Sequence, residues 1–215
     1  MKRIILLSII ILLIVFTSTS FSQFRMSVGP AFGINFNLHG GSDLSSGGTG
    51  FGIAFAGKAD MSFDRSRSLG VIFGLAFYDG RGGSSSNTGT YYGTPYTQDN
   101  DISISYFQIE TLFRYRLQEG IYIFFGPQLG FCESAESEVT TSAQGYASQK
   151  TKNSIKDTPA RFELKTGAGY DIPLSKLITL SPELSFGLGL SNVIKDVKYH
   201  IHTIQAAVVC KFNII

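Results

Sequence analysis

The chain has 215 residues, of which 43% are hydrophobic and only 16% charged, with 24 Gly, 18 Phe, 10 Tyr and no Trp. Its mean hydropathy is +0.13. Such a composition excludes disordered, collagen-like and coiled-coil chains. Scarce charge with abundant glycine and aromatics points to β structure with little water-facing surface.

Residues 1–22 read as a separate unit. Lys2 and Arg3 precede an apolar run from Ile4 to Phe16, followed by Thr17, Ser18, Thr19 and Ser20. This is the pattern of a cleavable secretory signal peptide, and the run is too short to span a bilayer as a helix. Cleavage after Ser22 leaves residues 23–215 as one domain. Without Lys2 and Arg3 the basic and acidic residues are equal in number, so there is no electrostatic case for binding nucleic acid or anionic lipid.

From there the apolar residues recur at every second position, the period of a strand. The first strand, 26–38, sets Val28, Phe32, Ile34, Phe36 and Leu38 against Ser27, Gly29, Gly33, Asn35 and Asn37. The second, 51–64, sets Phe51, Ile53 and Phe55 against Ala54, Lys58, Asp60 and Ser62, and the third, 68–79, sets Leu69, Val71, Phe73, Leu75 and Phe77 against Gly70, Gly74, Ala76 and Tyr78. In the fourth, 101–117, Phe107, Ile109, Phe113 and Tyr115 oppose Gln108, Glu110, Arg114 and Arg116. Ile102 and Ile104 fall on the polar parity there, which predicts a bulge near Tyr106.

The fifth strand, 121–134, opposes Ile121, Ile123, Phe125, Leu129 and Phe131 to Tyr122, Gly126, Gln128 and Gly130. The sixth, 161–174, opposes Phe162, Leu164, Ala168 and Tyr170 to Arg161, Glu163, Lys165, Gly167, Gly169 and Asp171. The seventh, 178–190, alternates without a break from Ile178 to Leu190. The eighth, 200–214, sets Ile204, Ala206, Val208 and Phe212 against Gln205, Lys211 and Asn213. The gaps between the eight strands alternate long and short, as in an up-and-down barrel with short periplasmic turns, here Arg65–Arg67, Gln118–Gly120 and Ser175–Leu177, and long extracellular loops. The loops 80–100 and 135–160, rich in Gly, Ser, Asn and Thr, read as hydrated and mobile.

Alternation also fits a soluble ligand-binding barrel with its apolar side turned inward. The polar positions decide against it, because they are mostly Gly, Ser, Ala, Thr and Asn, a set suited to a crowded interior. The expected fold is therefore an eight-stranded antiparallel transmembrane β-barrel, the only β solution inside a bilayer, with outer-membrane lipid around it. Phe36, Phe51, Phe77, Phe131 and Phe162 near the outer strand ends, and Phe63, Tyr115, Tyr170 and Phe212 near the other, suit interfacial girdles. Eight strands leave room for side chains but not for a pore. The inward charges Lys58, Asp60, Glu110, Arg114, Arg116, Glu163, Lys165, Glu183 and Lys211 are expected to pair across the lumen as a structural plug. Cys132 on the inward parity and Cys210 on the lipid-facing one are expected to stay free thiols.

No phosphate loop or Cys/His metal cluster is present in the sequence, and no cofactor or metal is expected. The one arrangement with enzymatic potential is His200 and His202 beside Ser191 and Asp196, from which a lipid-modifying triad can be drawn. No motif fixes that geometry, and two interfacial histidines are the simpler reading.

The motifs Gly126-Pro127-Gln128-Leu129-Gly130-Phe131, Gly167-Ala168-Gly169-Tyr170 and Leu180-Ser181-Pro182-Glu183-Leu184, in this order and spacing, resemble the PorT-like outer-membrane β-barrel family of Bacteroidota and related bacteria. The resemblance covers the chain after residue 22 and is firmest from about residue 106. It implies residence in the outer membrane, recognition by the barrel-assembly machinery and, for some members, an accessory role in protein secretion. One departure is the end Phe212-Asn213-Ile214-Ile215, where such barrels end in an aromatic residue. The expected function is that of a non-enzymatic barrel with a structural or surface-interaction role, its partner an extracellular or secretion-machinery protein.

Overall fold

The computed structural model describes residues 25–42, 48–64, 68–91, 94–143 and 145–214. The signal segment 1–22 and the turn Arg65–Arg67 lie outside the described residues. Ten strands follow one another: β1 (Arg25–Gly40), β2 (Gly48–Ser62), β3 (Leu69–Tyr91), β4 (Thr94–Arg116), β5 (Ile121–Ala143), β6 (Gln149–Ser154), β7 (Arg161–Tyr170), β8 (Ile172–Pro173), β9 (Ile178–Gly189) and β10 (His200–Asn213).

Eight of these form a closed antiparallel ring in the order β1-β2-β3-β4-β5-β7-β9-β10, with β10 pairing back onto β1 along its length, from Ser27↔Asn213 to Gly40↔His200. Closure leaves no ring strand with an unpaired edge, which satisfies backbone groups where no water reaches. The two remaining strands are accessories. β6 pairs only β5, and β8 continues β7 on β9 after a break at Asp171, as Gly169↔Glu183 and Ile172↔Leu180 share one register.

The usual distribution of polarity is inverted. Phe51, Phe77, Phe113 and Leu184 lie on the outer surface, each more than 60% exposed, while Asn35, Lys58, Glu110, Arg114, Glu163, Lys165 and Lys211 are buried inside. An apolar outer face this large belongs in lipid. Adjacent strands carry Phe32 against Phe55 and Phe36 against Phe51, with ring centroids 5.2 and 5.3 Å apart.

The inward glycines make room for long side chains. A Cβ at Gly74 would stand 2.5 Å from Glu110 Cγ, and one at Gly169 would stand 2.4 Å from the Tyr122 ring. The polar face is therefore rich in glycine because eight strands enclose little volume.

Three expectations from the sequence need correction. Tyr78 does not point inward but is 40% exposed. β3 carries one residue more than either neighbour between Ala76 and Asp79, so Phe77 and Tyr78 both face outward and the parity flips beyond them. The register does shift at Ser105/Tyr106, where the bulge was expected, but the strand that carries it needs correction: the extra residues lie on the flanking strands, at Phe77–Tyr78 of β3 and at Glu133 of β5, while β4 alternates evenly and buries Ile104, Tyr106 and Gln108 on one face.

The third correction concerns the loops 80–100 and 135–160, which are largely strand. β3 and β4 remain paired to Tyr91↔Thr94, β4 and β5 to Tyr96↔Ala143, and β6 adds Gln149–Ser154 to β5. Four strands thus rise beyond the barrel as one sheet. Both of its faces meet water, so its sequence has no apolar side to announce it.

Candidate functional site

The lumen is filled by ion pairs in three tiers. At the end where β1 begins and β10 finishes, Asp60 accepts from Arg114 at 3.1 Å and from Lys211 at 2.9 Å, Lys211 also reaches Asp171 at 2.9 Å, and Arg116 pairs with Asp171. In the middle tier Lys58 lies 2.6 Å from Glu183 and 3.3 Å from Glu110, and Lys165 lies 2.9 Å from Glu110. In the upper tier Arg81 pairs with Asp79 and stands 3.8 Å from Glu163, which also pairs with Arg161.

The tiers are joined. Tyr122 donates its hydroxyl proton to Glu183 at 2.8 Å, and Lys211 reaches the same hydroxyl at 3.5 Å. Lys165 donates to Gln205, Gln205 to Asn35, and Asn35 to Asp79. A polar network therefore runs without interruption from Arg116 to Arg161. Charges so deeply buried persist because each meets an opposite charge and further hydrogen bonds.

All nine residues singled out from the sequence, Lys58, Asp60, Glu110, Arg114, Arg116, Glu163, Lys165, Glu183 and Lys211, lie in this network. Four further charged members were not counted. Arg161 and Asp171 stood on the inward parity at strand ends and were readable there; Asp79 and Arg81 were hidden by the bulge at Phe77–Tyr78. Inside the ring, Ile72, Leu112, Tyr122 and Phe124 form a small apolar layer beside the charges.

Above the upper tier an apolar cap closes the loop end. Ile104, Tyr106, Ala135, Val193, Tyr199 and Ile201 are buried together, with Cys132 packed against them. Tyr199, in the segment before β10, meets His39 Nδ1 through its hydroxyl, and burial pushes the pKa of that hydroxyl up. Cys132 and Cys210 are both free thiols.

Among the described residues the opposite end is open. A cavity of about 690 Å³ enters the lumen there, with the lowest tier as its floor. Higher up, the void between the middle and upper tiers is about 20 Å³, enough for one water molecule. The lumen is thus a vestibule ending in a charged floor.

His200 and His202 do not assemble a triad. His200 Nδ1 faces the Ser191 carbonyl at 3.1 Å, the Ser191 hydroxyl accepts from the Phe162 amide at 2.8 Å, and His202 Nδ1 accepts from the Gly189 amide at 3.2 Å. Among the described residues no hydrogen bond joins Asp196 to either histidine. No group of three or more His, Cys, Asp or Glu among the described residues could hold a metal ion.

A family profile described as "Outer membrane protein beta-barrel domain" matches residues 19–195. No curated protein matches the chain significantly. Among solved structures the chain is similar to Ail, the attachment invasion locus protein of Yersinia pestis, with 10% identity, 89% of this chain and 99% of that chain covered, and a TM-score of 0.39. It is also similar to Neisserial surface protein A, at 9% identity, 89% and 97% coverage and a TM-score of 0.37. A third similarity is to the outer membrane protease OmpT from Escherichia coli, at 8% identity, 90% and 97% coverage and a TM-score of 0.35. With a closed ring, an apolar outer belt and a family match over most of its length, this chain belongs to the outer membrane protein beta-barrel domain family and resides in the bacterial outer membrane.

Proposed function

We propose that the protein is a non-enzymatic outer-membrane barrel with a closed lumen, acting at the cell surface through the sheet that β3, β4, β5 and β6 raise above the membrane. One observation carries this reading: ion pairs block the barrel from floor to cap, while four strands extend into the medium with both faces wet. The Ser191 hydroxyl engaged by a backbone amide, and not by His200, supports a role without chemistry.

A second reading is an accessory of secretion or envelope assembly, as in PorT-like barrels of Bacteroidota. Its support is the placement of the three resembling motifs on the consecutive ring strands β5, β7 and β9, where Gly169 of the second pairs with Glu183 of the third.

Photo-crosslinking residues in place of Thr88 and Thr151 on the raised sheet, and of Glu119 in the short turn after β4, separate the two readings in intact cells. Protein adducts from Thr88 and Thr151 are expected. Adducts from Glu119 alone move the function to the periplasmic side. A steady planar-bilayer conductance from the purified barrel overturns the closed lumen.

A further inference from the structure

The three tiers differ in charge balance. The middle tier holds two cations, Lys58 and Lys165, against two carboxylates, Glu110 and Glu183. The upper tier holds Arg81 and Arg161 against Asp79 and Glu163. Among the described residues the lowest holds three cations, Arg114, Arg116 and Lys211, against Asp60 and Asp171.

The surplus positive charge thus sits in the tier that borders the vestibule, and among the described residues Arg116 Nε has no hydrogen-bond partner. Arg116 is only partly buried and faces the vestibule together with Lys211, so an anion there would meet a surplus cation and gain charge-assisted hydrogen bonds. The mouth repeats the imbalance, with Arg25 and Lys176 against Glu119. At about 690 Å³ the cavity is within the size range of small-molecule sites.

We infer that the periplasmic vestibule is a binding site for an anion bearing carboxylate or phosphate groups, seated on Arg116 and Lys211 and entering between Arg25 and Lys176. Buried floor charges fix its position, and the rim cations raise its rate of entry. The site goes beyond the surface role proposed above and does not depend on it.

The test uses the purified barrel in zwitterionic detergent micelles, titrated with citrate and with inorganic phosphate, reading the amide resonances of Gly120 and Asn213. A saturable shift is expected, with the midpoint raised about tenfold in Arg116→Gln, the loss expected for one charge-assisted hydrogen bond. Lys176→Glu weakens binding less, and Lys195→Glu at the loop end leaves it unchanged. Retained heat-modifiable gel mobility shows that a variant is folded. If Arg116→Gln does not fold, Arg25→Gln and Lys176→Glu carry the comparison.

A parallel arm places the barrel in nanodiscs of phosphatidylglycerol or of phosphatidylcholine. A response to phosphatidylglycerol alone assigns the anion to a lipid headgroup, and a response to citrate or phosphate assigns it to a soluble ligand. No response to any of the three, or a response equal in all variants, overturns the site.

Discussion

Lys58 of β2 and Glu183 of β9 meet across the barrel at 2.6 Å, although two ring strands separate them in one direction and four in the other. The contact ties opposite walls together at mid-height. Replacing Lys58 with Met leaves Glu183 and Glu110 buried without their shared cation, and destabilisation of about 3–5 kcal/mol is expected. Replacing Lys58, Glu110, Glu183 and Lys165 together by apolar residues of similar volume costs less than the single change. Urea unfolding in detergent, followed by heat-modifiable gel mobility, checks both.

Gly187 on the inward face of β9 lies against Glu163, and a Cβ there would stand 1.5 Å from Glu163 Oε1. Gly187→Ala forces Glu163 away from Arg161, at a cost of about 1–3 kcal/mol. Gly40, with nothing within 4 Å of its Cβ position, is the matched control, and its alanine variant should unfold at the wild-type urea concentration.

Asp171 lies in the break after β7, at the vestibule. Burial pushes its pKa up, but the ammonium of Lys211, the Ser181 hydroxyl and the Arg116 guanidinium outweigh that, and the carboxyl is held below its ordinary 3.8. The folded-state value is the depressed one, so its stabilising contribution is complete above the ordinary value and is lost as pH falls through the folded value. Unfolding free energy measured from about pH 5 downward should therefore drop in the wild type, and less steeply in Asp171→Asn. Identical slopes in the two proteins would refute the assignment.

Lys150 with Glu138 and Lys152 with Glu136 bridge β6 to β5 at 2.8 and 2.7 Å. The hydrogen bond and charge of Glu136 raise the Lys152 pKa, yet these pairs are solvated. Exchanging either lysine for alanine should leave the urea unfolding midpoint at the wild-type value, because solvent screens both pairs. Hydrogen exchange in the raised sheet, at residues 85–91 and 149–154, is expected to be much faster than at residues 107–113 in the belt.

The ring strands and their faces were legible because lipid on one side and a crowded lumen on the other impose a period of two on every crossing. So were the nine lumen charges, since each stands on the glycine-rich parity. Asp79 and Arg81 were not, because a single extra residue at Phe77–Tyr78 reverses the parity beyond it and hydropathy does not register a bulge. The raised sheet was illegible for another reason. From Ser84 to Thr90 both faces meet water, and backbone pairing leaves no trace in hydropathy once neither face is apolar. The failed triad was undecidable from spacing alone, because Ser191 and His200 are joined through a carbonyl and not through the hydroxyl.

β3, β4 and β5 run unbroken from the membrane into the medium, each 23 residues long. A tether attached at the Tyr91–Thr94 tip would pull all three along their own axes. The load would then fall on the seams with β2 and β7, whose hydrogen bonds lie across the direction of pull and must yield together in shear and not one by one as in a zipper. The raised sheet is thereby coupled mechanically to the whole ring that carries it.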